Sequence, residues 1–351
     1  MTAHLNRERS TAARSVAAVI AACALAGGIA ACGDDEESGS SDDGTLTVYS
    51  GREEEYVGPL FDRYEEQAGT DVEIRYGDSA ELAATIIEEG ENTPADVFFS
   101  QDAGSLGALQ QEGLLAPLGD SVLELVDARF RSSDGDWVGT SGRARAVAYD
   151  SEAVSESELP QSVLDFTDPE WEGRIGWAPT NGSFQAFVTA MRLTEGEDTT
   201  REWLEGIVAN DPVAYADNEA LRDGIAAGEV EVGFINHYYV AEVIEEEGAD
   251  YPVELHFPPN GDVGALVNVA GAGVLAGADN AETGTEFIEF VLSEPEQEYF
   301  ADTVKEYPLI EGAEADPTLV PLAEIEQPDV DLADLGDLKE TLTLIEESGA
   351  L

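Results

Sequence analysis

The runs TLTVY at 45–49, VEIRY at 72–76 and DVFFS at 96–100 decide the reading of this chain. Each is short and rich in β-branched or aromatic residues, the composition of a strand. Between them lie PLFDRYEEQAG (59–69) and AELAATIIEEG (80–90), and GSLGALQQEG (104–113) follows the third. Each of these carries apolar residues at helical spacing and ends on a glycine where a helix should stop. The pattern β-α-β-α-β-α predicts a parallel sheet covered by helices on both faces, with ligands beyond the carboxyl ends of the strands. Ligand-facing residues should therefore follow Tyr49, Tyr76 and Phe99.

Further along, RAVAYD (145–150), GRIGWAP (173–179) and EVGFINHYYV (231–240) read as strands, and SFQAFVTAMRL (183–193) and TREWLEGIV (200–208) as helices. They make a second α/β lobe. The strand-like, glycine-rich ALVNVAGAGVLA (265–276) and the helical ETGTEFIEFVLSEPEQEYF (282–300) return the chain to the first. The expected division is a first lobe of 45–144 completed by about 265–320, and a second of 145–264 completed by about 321–351. No fixed-period repeat is present.

A chain of 351 residues is long for one hydrophobic core, and 43% hydrophobic content marks it as globular. Its 75 acidic residues against 16 basic ones give a net charge of −59, which repels a phosphate backbone and argues against nucleic-acid partners. The acid load is spread along the chain rather than gathered in a tail, which suits a surface kept hydrated in concentrated salt.

The N-terminus reads as an address. Arg7, Arg9 and Arg14 form a basic stretch, and 15–31 is small and apolar, too short for a bilayer-spanning helix and right for a secretory leader. Ile29-Ala30-Ala31-Cys32-Gly33 resembles a bacterial lipobox, in which the leader (1–31) is cut before the cysteine and Cys32 is lipidated. Residues 33–44, GDDEESGSSDDG, read as a flexible tether. No later stretch offers 18 uninterrupted apolar residues, so the expected product is an exported body held at the outer face of the cytoplasmic membrane.

The familiar catalytic signatures are absent: there is no HExxH and no P-loop, and GTSGR at 139–143 lacks the last glycine of a nucleophile elbow. GAGVLA at 271–276 half-matches a dinucleotide fingerprint but lies late in the chain, where tight strand packing explains it better. Only His237 and His256 survive removal of the leader, which excludes a multi-histidine zinc site.

The informative cluster is Asn236-His237-Tyr238-Tyr239. In a strand the two tyrosines would point to opposite faces. At a strand end or helix start both phenols can enter one cleft, and phenolate oxygen suits a hard trivalent ion such as ferric iron. A phenol of pKa about 10 needs a strong cation beside it to ionise at neutral pH.

Taken in order, VYSGREEE (48–55), TPADVFFSQD (93–102), WVGTSGRARAVAYD (137–150), WEGRIGWAPTNGSF (171–184), INHYY (235–239), GALV (264–267) and EYPL (306–309) make the chain resemble the periplasmic ferric-ion-binding proteins of bacterial iron ABC importers. The resemblance implies the two-lobed, type II periplasmic-binding fold with an interlobe cleft and a crossover-strand hinge. It implies a non-enzymatic monomer that takes Fe(III) with a synergistic phosphate or carbonate and hands it to a permease and its ATPase. Tyr238 and Tyr239 match the paired tyrosine ligands, and Asn181, Gly182, Ser183, Asn218 and Asn236 match groups that hold the anion. TNGSF opens an expected helix, whose N-terminus favours anions, although a plain helix cap is the alternative.

The first lobe departs from the family pattern. Glu53 stands where such proteins often carry a histidine ligand, and neutral Gln101, beside Asp102, where they carry a glutamate. Glu53 and Gln101 complete the expected metal set, and Asp102, Arg52 and Arg143 the expected anion set. Arg52, Arg143 and Arg145 suit neutralisation of the anion or of a carboxylate ligand, with internal salt bridges as the alternative. A weakened first-lobe set leaves room for a binder of a small anion such as phosphonate or sulfate. An exported hydrolase lacks an organised nucleophile here, and a calcium adhesin lacks its loop.

Overall fold

The computed structural model describes residues 44–248 and 250–351. The leader, Cys32 and all of the tether except Gly44 lie outside them. In chain order come β1 (Leu46–Ser50), α1 (Glu54–Ala68), β2 (Val72–Tyr76), α2 (Ser79–Glu89), β3 (Val97–Ser100), α3 (Ala103–Gln111) and the single turn α4 (Asp120–Leu123). Then follow β4 (Val138–Asp150), β5 (Ile175–Trp177), α5 (Gly182–Glu195), α6 (Glu197–Ala209), β6 (Val213–Ala214), α7 (Asn218–Ala226), β7 (Val232–Asn236) and α8 (Tyr238–Glu247). The chain closes with β8 (Val253–His256), β9 (Val267–Val274), α9 (Ala281–Val291), α10 (Glu294–Thr303) and α11 (Leu338–Glu347).

The first six elements sit where the alternation predicts them. β1 lies between β2 and β3, parallel to both. α1 begins at Glu54 rather than at Pro59, because Tyr56 and Val57 already donate to the Glu53 carbonyl and the proline is taken inside the helix. The expected helix at 282–300 is two, α9 and α10, parted at Leu292 and Ser293 with Pro295 in the first turn of the second.

The sheet is mixed, not wholly parallel. Its order is β2-β1-β3-β9-β4-β7-β5-β6, with β8 added on β4, and β9 runs antiparallel to both its neighbours. β4 is longer than its expected 145–150 portion: it has 13 residues and changes partners midway. Val138–Ala144 pairs with β9, whereas Arg145–Tyr149 pairs with β7 and Val147–Asp150 with β8. One continuous, almost wholly buried strand thus belongs to both halves of the molecule. Stacked Phe61 and Phe287, with Phe99 edge-on, fill the first half, and Phe184, Phe187, Trp203 and Phe234 fill the second.

The half-matched dinucleotide run belongs to β9. A Cβ on Gly271 would stand 2.7 Å from the Val138 carbonyl oxygen and 2.8 Å from Leu106, so the glycine serves close packing of strand on strand. The C-terminal tail bridges the two halves: its turn Leu332–Gly336 lies on α3, and α11 packs on α5 and α6.

Candidate ligand cleft

The carboxyl ends of β1, β2 and β3 open into a cavity of about 840 Å³. Gly51, Arg52 and Glu53 follow β1, Gly77, Asp78 and Ser79 follow β2, and Gln101 and Asp102 follow β3, and all of them line it. The far wall carries Asn181, Gly182, Ser183, Asn236, Tyr238 and Tyr239, and Arg143 and Arg145 come from the midpoint of β4. Every expected metal residue and every expected anion residue except Asn218 therefore reaches one cavity. Asn218, fully buried at the start of α7, stands one layer behind and donates to Asn181 Oδ1 at 3.3 Å and Ser183 Oγ at 3.1 Å.

The tyrosines meet because the strand ends just before them. β7 stops at Asn236, His237 turns the chain, and Tyr238 and Tyr239 open α8. Their rings lie 4.2 Å apart between centroids at 33°, on one side of the backbone, which an extended strand would forbid. Tyr238 is almost wholly buried, and desolvation first, then the neighbouring Tyr239, holds its phenol well above its ordinary pKa. Arg143 works in the opposite direction. Among the described residues no three His, Cys, Asp or Glu side chains gather as a metal cluster.

His237 serves structure. Its Nδ1 accepts from the Ala144 N–H at 3.1 Å, its Nε2 donates to the Lys305 carbonyl at 2.9 Å, and burial pulls its pKa down to about 4. Both ring nitrogens are spent on backbone, and neither is left for a ligand.

The remaining first-half groups differ in freedom. Glu53 flanks the start of α1 without capping it, and its carboxylate is exposed at the cavity rim. The Gln101 backbone carbonyl accepts from Arg143 Nη2, and its backbone N–H donates to Ser79 Oγ at 2.9 Å. Asp102 is the cap of α3, accepting from the Ser105 N–H at 2.8 Å and from its hydroxyl at 3.0 Å. A carboxylate so placed repels an anion rather than holding one. On the far wall, Asn181 likewise caps α5 through the Ser183 N–H at 2.9 Å, so helix cap and cavity wall coincide.

The three arginines are unequal. Arg52 Nη1 lies 3.0 Å from Glu306 Oε1 and Arg143 Nε 3.9 Å from the same oxygen, while Ser141 Oγ donates to Oε2 at 2.5 Å. Burial alone would raise the Glu306 carboxyl, but the two guanidiniums and the hydroxyl keep it below the usual carboxylate range. Among the described residues Arg145 bonds only neutral groups: Ser183 Oγ at 3.1 Å, the Phe234 carbonyl at 2.5 Å and Asn236 Oδ1 at 3.5 Å. It lies over Phe184 and Phe187, its Nε has no partner, and burial lowers its pKa to about 9 against the raising influence of Tyr239 and Tyr238. A buried cation whose described hydrogen-bond partners are all neutral is costly to hold. The sequence grouped Arg145 with Arg52 and Arg143 as neutralisers of the anion or of a carboxylate ligand, and gave no sign of Glu306 beyond its place in EYPL.

Two α/β halves on shared strands, with polar groups converging where the strand ends meet, define a solute-binding protein. The chain belongs to the bacterial extracellular solute-binding proteins, whose family model matches residues 92–334. It is similar to the Fe(3+)-binding periplasmic protein of Serratia marcescens, with 32% identity over 317 residues, 90% of this chain and 93% of the relative. Among solved structures, iron-bound HitA from Pseudomonas aeruginosa superposes with a TM-score of 0.80 at 36% identity, covering 87% of this chain and 99% of that one. The Trichodesmium protein IdiA (FutA), solved with iron and citrate ligands, gives 0.76 at 28%, again over 87% and 99%.

Proposed function

We propose that this protein captures ferric iron together with a synergistic anion, phosphate or carbonate, between its two halves and delivers it to an ABC permease. The observation that carries the proposal is the pair of phenols converging at the start of α8, in a cleft that Arg145 also lines. Two phenolates suit a hard trivalent ion, and the anion offsets the Arg145 guanidinium that would otherwise repel it. Tyr238 and Tyr239 are the principal ligands, and Glu53 and Gln101 approach from the first half. Ser183, Asn236 and Arg145 hold the anion with the N-terminus of α5, supported by Asn181, Gly182 and Asn218. The protein acts as a non-catalytic monomer, tethered outside the cytoplasmic membrane by lipid on Cys32. Its lobes are 45–144 with 265–320 and 145–264 with 321–351, apart from the turn Leu332–Gly336, which crosses back onto α3, and capture closes them about β4.

The test is a visible spectrum. Ferric iron added as a weak chelate, with phosphate or carbonate, should give a tyrosinate-to-iron charge-transfer band that is lost in Tyr238→Phe and in Tyr239→Phe. A folded protein that gives no band with either anion binds a small anion instead, and the tyrosines then line its pocket.

A further inference from the structure

The cleft presents three guanidiniums but does not leave them equally available. Glu306 comes from the segment after α10 and is buried behind Arg52 and Arg143, both of which line the cavity. Its carboxylate bonds Arg52 at 3.0 Å, approaches Arg143 at 3.9 Å and is held from the other side by Ser141 at 2.5 Å. The backbone on either side is fixed as well. The Lys305 carbonyl accepts from His237, and Tyr307 exchanges two backbone hydrogen bonds with Gly142 at 2.8 and 2.9 Å. An oxyanion is thus built into the protein between the first-half arginines. Two positions along β4 from Arg143, on the same face of the strand, Arg145 has only neutral partners.

We propose that Glu306 is a specificity-determining residue: a resident counter-anion that reserves Arg52 and Arg143 and leaves Arg145 as the one seat for an incoming oxyanion. The inference rests on the reading that an oxyanion enters this cleft, but it does not depend on iron. Without the carboxylate, Arg52 and Arg143 form a second paired-guanidinium site of the kind that takes phosphate bidentately.

The experiment titrates inorganic phosphate into the iron-free protein by calorimetry at low ionic strength. The wild type should bind one phosphate, and Arg145→Gln should weaken it at least tenfold. Glu306→Gln should bind a second phosphate, and the double variant Arg145→Gln/Glu306→Gln should recover binding through the freed pair. Glu306→Asp, which keeps the charge, should behave as the wild type. Unchanged stoichiometry in folded Glu306→Gln, together with no recovery in the double variant, overturns the inference. If Glu306→Gln does not fold, Ser141→Ala carries the test by loosening the carboxylate. Severalfold tighter phosphate then supports the inference, and unchanged affinity overturns it. A protein that shows this phosphate pattern but never the charge-transfer band would retain the role of Glu306 and lose the iron reading.

Discussion

The His237 imidazole lies on the Tyr307 ring, 4.5 Å between centroids and 21° from parallel, while its two nitrogens bond Ala144 and Lys305. His237 immediately precedes the tyrosine pair. Ala144 is where β4 changes partners, and Lys305 adjoins Glu306, so this ring ties the phenols to β4 and to the buried carboxylate.

His237→Ala should therefore destabilise the protein by about 3 kcal/mol, because two buried backbone groups lose their partners along with the stacked ring. Urea unfolding of the iron-free protein measures it. A loss below about 1 kcal/mol would mean that water replaces the ring.

The same residue sets an acid limb. Its folded pKa of about 4 lies below the ordinary 6.5, so the unfolded state binds the extra proton. The contribution is complete above pH 6.5 and is lost as pH falls toward 4, at up to about 1.4 kcal/mol per pH unit. Glu306 and Arg143 face the ring and oppose each other. Unfolding free energies between pH 7 and 4.5 should show this slope in the wild type and a shallower one in His237→Asn.

Iron capture has its own pH dependence. Tyr238 is neutral in the free protein, its phenol held up by burial, so the proposed ligation requires it to ionise. If both phenols lose a proton, the logarithm of the apparent affinity rises by about two per pH unit near neutrality, and by about one in Tyr239→Phe. Competition against a chelator of known proton stoichiometry reads the slope, and a slope near zero would exclude tyrosinate ligation.

Gly107 is the contact between α3 and the C-terminal turn. A Cβ there would stand 2.0 Å from the Ala333 carbonyl oxygen, whereas one on Gly182, at the cavity wall, meets nothing within 4 Å. Gly107→Ala should cost about 3 kcal/mol or more, and Gly182→Ala less than about 1 kcal/mol, by chemical denaturation.

A net charge of −59 makes the folded chain repel itself, and salt screens that repulsion. The melting temperature should climb by several degrees between low salt and about 2 M KCl. A flat dependence would show that the acidic surface serves solubility alone.

The strand alternation and the residues after Tyr49, Tyr76 and Phe99 were legible because local periodicity encodes them. So was the convergence of the tyrosines, once a helix start was allowed at 238. The through-running β4 was not, because a buried strand that changes partners leaves no mark in its own sequence: VGTSGRARAVAYD carries two arginines and lacks alternation. Glu306 stayed hidden for a related reason. Its partners Arg52 and Ser141 lie 254 and 165 residues away, and no spacing rule links them. Pro59 misled by marking a helix start when it sits within the helix.

The partner exchange along β4 also bears on how such a protein can be taken apart. Arg145 donates its backbone N–H to Leu266 on one side while its strand pairs with Asn236 on the other, so any cut between the halves falls inside a hydrogen-bonded strand. Neither half is a cassette. A chimera that exchanged the tyrosine-bearing half for that of another protein would have to carry β4 and β9 with it, and so would inherit the arginines and the cleft floor as one block.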